Sequence, residues 1–197
     1  MAAKEQANEI FLLQKIGKAG SKSAGSALTA MLKKKVDSSV PDIQVLPAKS
    51  IDRMFEKSGP QTGVVLNLAG DVSGALALLF GRQDALGMID ALSGNKEGST
   101  RFVGEYNQSV LKEVGNIVCN AYLNALCATF RLTVRTEPPQ LIYNLSQPFS
   151  GLLGPAAENV QEVIMIETSF EVEGVRSHGK ILFLFDEKSF DRLMSKV

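Results

Sequence analysis

The 197-residue chain has no tryptophan, one histidine and two cysteines. A structural zinc site needs about four Cys or His ligands, so this inventory excludes the common zinc architectures. Cys119 and Cys127 are eight positions apart on a segment that reads as one helix. The helical rise separates them by roughly 12 Å, beyond disulfide reach. They are expected to be reduced, packed thiols of a cytosolic protein. Charge of one sign is missing too, since 21 Lys and Arg balance 21 Asp and Glu. Nothing global therefore draws the chain to nucleic acid or an anionic membrane. Long hydrophobic runs are also lacking. The longest, Gly74 to Phe80, is strand-sized and far below the ~18 residues of a spanning helix. The first residues, Met-Ala-Ala-Lys-Glu-Gln-Ala-Asn-Glu, carry no signal-peptide core. A cytoplasmic location is expected. His178 has no Ser or Cys nucleophile in a recognisable frame and reads as a turn or surface residue.

What is present is a chain 45% hydrophobic, a globular composition, that repeats itself once. Phe11 to Pro41 can be laid on Ser109 to Pro139 with a shift of 98 and no gap. Identities fall at Leu13/Leu111, Gly17/Gly115, Ala27/Ala125, Leu28/Leu126, Ala30/Ala128, Val36/Val134 and Pro41/Pro139. After each proline comes a strand-like run, Asp42–Leu46 and Gln140–Leu145. Two apolar runs follow in each half: Gly63–Ala69 with Gly74–Phe80, and Val160–Val172 with Gly179–Phe185. Gly70-Asp71 and Glu173-Gly174 are turn signals between them. Each half ends in a helical stretch, Asp84–Leu92 and Glu187–Val197. The predicted fold class is α+β. Residues 1–197 form a single domain of two pseudo-symmetric helix-strand-strand-strand-helix halves, 1–93 and 99–197. Three strands are too few to bury both faces alone. The halves are therefore expected to share one six-stranded sheet, with two long helices on one face.

The most informative segment is Thr100 to Phe130. At about 100° per residue, Val103, Val110, Val114, Ile117, Val118, Ala121, Ala125 and Ala128 gather on one side. Glu105, Ser109, Glu113, Asn116 and Asn120 gather on the opposite side. Glu113 and Asn116, at i and i+3, are surface neighbours. Most polar stripes are simply solvated. Two residues here are poor choices for that purpose. Asn is a mediocre helix former, and Gly115 costs about 1 kcal/mol against Ala. Gly115 is expected to let another backbone, of a neighbouring helix or of a partner, come close.

Ser109-x3-Glu113-x2-Asn116-x22-Pro139 resembles the signature of the CheC/CheX/FliY phosphatases of chemotaxis. The stretch Glu113 to Leu126 looks like the second-site helix of CheC. The resemblance covers nearly the whole chain and implies the same duplicated fold. It implies a phosphatase acting on the aspartyl phosphate of the response regulator CheY, with Glu113 and Asn116 as catalytic residues. Asn116 would orient the attacking water, a role that a carboxamide fills by donating and accepting. Glu113 would pair with a lysine of the regulator. Ser109 and Pro139 would support the motif. No cofactor of the chain's own is implied, and Mg2+ would come with the regulator. CheD is a further partner that the resemblance suggests. The alternative that it leaves open is a non-catalytic adaptor binding CheD or the flagellar motor switch.

In the first copy Phe11, Lys15, Lys18 and Pro41 stand where the second has Ser109, Glu113, Asn116 and Pro139. An ammonium donates but cannot accept. The degenerate first site, Lys15 and Lys18, is expected to be inactive. The chain looks like a CheC-like protein with one intact site.

Other signals are weak. Lys15, Lys18 and Lys22 share a helix face that reads first as a solvated basic surface, with binding to an acidic partner surface as the alternative. Gly17 to Ser23 faintly suggests a phosphate loop, but the required Gly-Lys-Ser/Thr spacing is absent. Asn107 and Asn144 fit glycosylation patterns without any sign of secretion. Gln147 to Pro155 reads as a loop whose Phe149, Leu152 and Leu153 either form a partner-binding lip or, the favoured reading, fold back on the core.

Overall fold

The computed structural model describes residues 2–145 and 160–196. Five helices and seven strands follow the order α1 (Ala2–Leu32), β1 (Val36–Pro47), α2 (Ala48–Ser58), β2 (Gln61–Gly70), β3 (Gly74–Gly81), α3 (Arg82–Ser93), α4 (Glu105–Phe130), β4 (Val134–Thr136), β5 (Gln140–Leu145), β6 (Glu162–Val172), β7 (Val175–Phe185) and α5 (Glu187–Met194). The strands make one antiparallel sheet, ordered β1-β6-β7-β3-β2-β4, with β5 also pairing β2.

Burial explains this order. β3, Gly-Ala-Leu-Ala-Leu-Leu-Phe-Gly, is buried along all but its last residue and sits centrally between β2 and β7. A strand apolar on both faces has to be covered on both. One face carries the larger core, where Leu66, Leu76, Leu78, Ile166, Ile181 and Phe183 meet Ile16 and Leu28 of α1 and Val114, Val118 and Tyr122 of α4. The other face carries a smaller core, with Val65, Leu79, Met165 and Leu182 beside Ile51 and Phe55 of α2. β1 alternates between covered and open positions, as an edge strand should.

The two long helices pack against each other and against the same sheet face. Glycines set their distance. A Cβ on Gly20 would sit 2.5 Å from Tyr122 Cδ1. The buried Tyr122 hydroxyl donates to Thr168 Oγ1 at 3.0 Å, tying α4 to β6. Burial pushes this phenol up to about 12.

Three expectations need correction. The sheet has seven strands, not six, because Pro138 and Pro139 interrupt the chain between β4 and β5. Proline has no N–H to give a ladder, so the pairing with β2 breaks there. A helix, α2, separates the first two strands of the first half. α4 begins at Glu105 rather than Thr100, with Gly104 as its N-cap. It ends at Arg131, whose left-handed backbone (φ 54°) directs its N–H to Cys127 O. The Gln147–Pro155 loop lies outside the described residues.

Candidate functional site on helix α4

α4 is positioned by its buried side. Leu111, Val114, Gly115, Val118, Cys119, Tyr122, Leu126 and Phe130 are all buried. Ala128, predicted to belong to that side, is exposed. The core stripe runs through Leu111, Tyr122 and Leu126 instead. Gly115 is the closest contact with the sheet. A Cβ there would lie 2.5 Å from Val64 Cβ. The neighbour is thus a side chain of β2, not the helix or partner backbone expected from the sequence. The register pairs Val64 with Leu141 of β5. Leu141 packs beneath α4 beside Leu111 and Val103. The turn of α4 around Gly115 is thus seated over β2 and β5.

The polar stripe faces outward from this seat. Glu105, Ser109 and Glu113 are exposed, and Asn116 and Asn120 are half-buried. Glu113 and Asn116 lie one turn apart. Asn120 Nδ2 donates to Asn116 Oδ1 at 2.9 Å and to Asn116 O at 2.8 Å. The carboxamide of Asn116 is held by one edge, with its own Nδ2 and a second Oδ1 lone pair left to act. Ser109 Oγ donates to Glu105 O at 3.4 Å. Pro139 is half-buried just before β5, two residues from the Leu141 that packs under α4. The sequence marked Asn120 only as a member of the stripe. Its i+4 spacing from Asn116 was the available signal for the bond.

The first-copy residues occupy another place. Lys15 and Lys18 are exposed on α1, and Pro41 is exposed in β1 beside a register shift between Ser39 and Asp42. Lys18 and Lys22 border an open groove of about 700 Å³ between α1 and β1. Its floor hydroxyls are already engaged. Ser38 Oγ donates to Ser21 O at 2.6 Å, and Thr29 Oγ1 accepts from Val36 N–H at 3.0 Å. Lys35 pairs with Asp37 at 2.8 Å in the same groove.

His178 is exposed, and its backbone N–H donates to Asp84 Oδ1 at 2.7 Å. Cys119 is buried and Cys127 half-buried, both as free thiols. Burial pushes both upward. Among the described residues, no group of three His, Cys, Asp or Glu side chains is placed to hold a metal. None of the described helices is long and apolar enough to cross a membrane.

No family model matches the chain. It is 26% identical to the CheY-P phosphatase CheC of Bacillus subtilis, over 94% of this chain and 91% of that protein. It is 27% identical to the flagellar motor switch phosphatase FliY of the same organism, over 64% of this chain and 34% of FliY. Among solved structures, Thermotoga maritima FliY superposes with a TM-score of 0.74 at 20% identity, covering 92% of this chain and 91% of that one. The Borrelia burgdorferi complex of CheX, CheY, BeF3 and Mg2+ matches with a TM-score of 0.53 at 16% identity, covering 86% and 97%. Over nearly its full length the chain is similar in sequence to CheC, and it shares its fold with FliY.

Proposed function

We propose that the chain is a phosphatase that removes the aspartyl phosphate of a CheY-type response regulator, with Asn116 orienting the attacking water and Glu113 binding a cation of the regulator. The observation that carries this reading is the Glu113–Asn116 pair, outward on a helix turn fixed to the sheet by Gly115, with the Asn116 amide held by Asn120. CheC is named as a phosphatase of CheY-P. The CheX complex contains CheY with BeF3 and Mg2+.

The chemistry asks little of this chain. An aspartyl phosphate is an acyl phosphate with a good carboxylate leaving group. Water oxygen bonds to phosphorus, the bond from phosphorus to the aspartyl oxygen breaks, and the proton goes to phosphate or solvent. Asn116 accepts from that water at Oδ1 and holds it in line, a positioning role. Glu113 fixes the regulator against α4 through a charge-assisted hydrogen bond. Mg2+ belongs to the regulator's own site.

The same reading takes the chain as two related halves with only the second site active. Exchanging the halves maps the strand order β1-β6-β7-β3-β2-β5 onto itself. It also maps Gly115 onto Gly17; both are close-contact glycines, Gly115 against Val64 of β2 and Gly17 against Ile43 of β1, where a Cβ would sit 2.6 Å from Ile43 Cδ1. Lys15 and Lys18 replace the acceptors that the chemistry needs.

Phosphate release from a phosphorylated CheY with excess Mg2+ tests the proposal. Wild type accelerates release, Asn116→Ala abolishes the acceleration, and Lys18→Ala leaves it unchanged. No acceleration by wild type above the regulator's own decay refutes it.

A further inference from the structure

We propose that Phe102, Tyr106 and Tyr143 form an aromatic docking patch that grips the phosphorylated receiver domain while Glu113 and Asn116 act on it. This rests on the phosphatase reading and adds where binding energy comes from. Exposed large hydrophobic side chains are few among the described residues. Three lie on α1, and the other three are Phe102 (69% exposed), Tyr106 (72%) and Tyr143 (52%). These come from a loop, a helix and a strand, yet they gather at the start of α4.

Tyr106 precedes Glu113 by seven residues, which places the two within about 20° on one helix face and roughly 10 Å apart along it. Phe102 lies against the Gly104 N-cap, where a Cβ would be 3.4 Å from Phe102 Cε2. Its backbone is pinned, because Asn107 Nδ2 donates to Phe102 O at 3.1 Å. Tyr143 is set by β5. Ile142 enters the small core on the far face. Tyr143 therefore shares the α4 side with Leu141. It lines a pocket of about 30 Å³ with Phe102, Val103 and Leu86. Phe102 and Tyr143 are thus held on fixed backbone around one pocket, and Tyr106 follows Phe102 closely in the chain, on the Glu113 face of α4.

Aromatic side chains on a rigid support are typical interface anchors, since little entropy is lost when they are covered. The occupant follows from continuity: whatever presents a phosphoryl group to Asn116 also covers the same helix one to three turns earlier.

The test is steady-state phosphate release at increasing concentrations of a phosphorylated CheY, together with anisotropy binding to the same regulator activated with BeF3. Tyr106→Ala and Phe102→Ala are each expected to raise KM and Kd about tenfold while kcat stays within about twofold. Asn116→Ala lowers kcat with KM retained. If these aromatic variants leave Kd and KM unchanged while wild type is active, the patch is refuted and the phosphatase reading survives. If wild type binds but does not accelerate release, a tenfold loss of binding in Tyr106→Ala still supports the patch while the phosphatase reading fails. Absence of wild-type binding overturns both. Sedimentation showing a wild-type dimer that Tyr106→Ala dissociates, with Kd for the receiver unchanged, identifies a self-association face instead and overturns the proposal.

Discussion

Asn120 donates a hydrogen bond to Asn116 Oδ1 at 2.9 Å, across one turn of α4. That bond settles which end of the Asn116 carboxamide faces along the helix. It leaves the amide oriented before any partner arrives, which lowers the entropy lost on reaching the reactive geometry. Replacing Asn116 by Ala is expected to reduce regulator dephosphorylation by about 100-fold or more. Asn120→Ala removes only the orientation and should lower kcat by about tenfold, with KM nearly unchanged. Equal kcat for wild type and Asn120→Ala in a phosphate-release assay would show that the bond has no catalytic consequence.

Gly115 makes a second, opposite prediction about the same turn. By helix propensity, Gly115→Ala should stabilise by about 1 kcal/mol. The space denies it, because the added methyl would overlap Val64. Overpacking costs about 1–3 kcal/mol and here outweighs propensity. The variant is expected to lower the urea midpoint and, by lifting α4 off the sheet, to impair the site. Val64→Ala in the same chain opens room and should recover much of the loss. A Gly115→Ala protein more stable than wild type would refute the close contact.

The parts of this structure that the sequence made legible are those whose signal lies in consecutive residues. β2, β3, β6 and β7 are apolar on both faces and bounded by turn residues, of which Glu173 and Gly174 indeed adopt positive φ (50° and 87°). The Glu113, Asn116 stripe lies on one helix, so its spacing showed which residues share a face. α2 escaped because only Ile51 and Phe55 of its residues are buried, too short a stripe to mark a helix. The early start assigned to α4 followed from Val103, which is buried but belongs to the preceding loop. The aromatic patch could not be read at all, because Tyr143 meets Phe102 only through the β2–β5 pairing. The groove beside Lys18 is hidden for the same reason, since α1 and β1 build it jointly.

Acid should loosen the C-terminal end of the molecule first. Asp71, in the β2–β3 turn, accepts from Thr133 N–H at 2.7 Å and pairs with Arg192 of α5 at 3.1 Å. The Thr133 N–H, helped by Arg192, holds its carboxyl below the usual range. Asp90 behaves likewise: burial pushes it up, but hydrogen bonds from Thr100 and Ser99 outweigh that and hold it low. A depressed folded pKa means stability that is complete above the unfolded value of about 3.9 and lost as pH falls through the folded value. Urea midpoints measured from pH 7 down to pH 3 should fall most steeply below about pH 4. Asp71→Asn should be less stable at pH 7 and show a shallower fall. Identical slopes for the two proteins would rule out Asp71 as a contributor.

Cys119 offers a probe of whether α4 ever leaves the sheet. Its thiol is buried against the core, and burial pushes it far above the usual value of about 8.5. Thiolate is the reactive form, so iodoacetamide at pH 8 should not reach Cys119 while α4 is seated. Cys127, half-buried one helix end away, should be alkylated slowly. Labelling of Cys119 is then expected only at the rate of global opening, and to track urea unfolding. Mass spectrometry of timed native samples separates the two sites. Because Cys127 lies about three turns of α4, roughly 16 Å, beyond Asn116, modification of Cys127 alone should leave phosphate release intact. Equal labelling of both cysteines in the native protein would mean that α4 detaches locally, carrying the site with it.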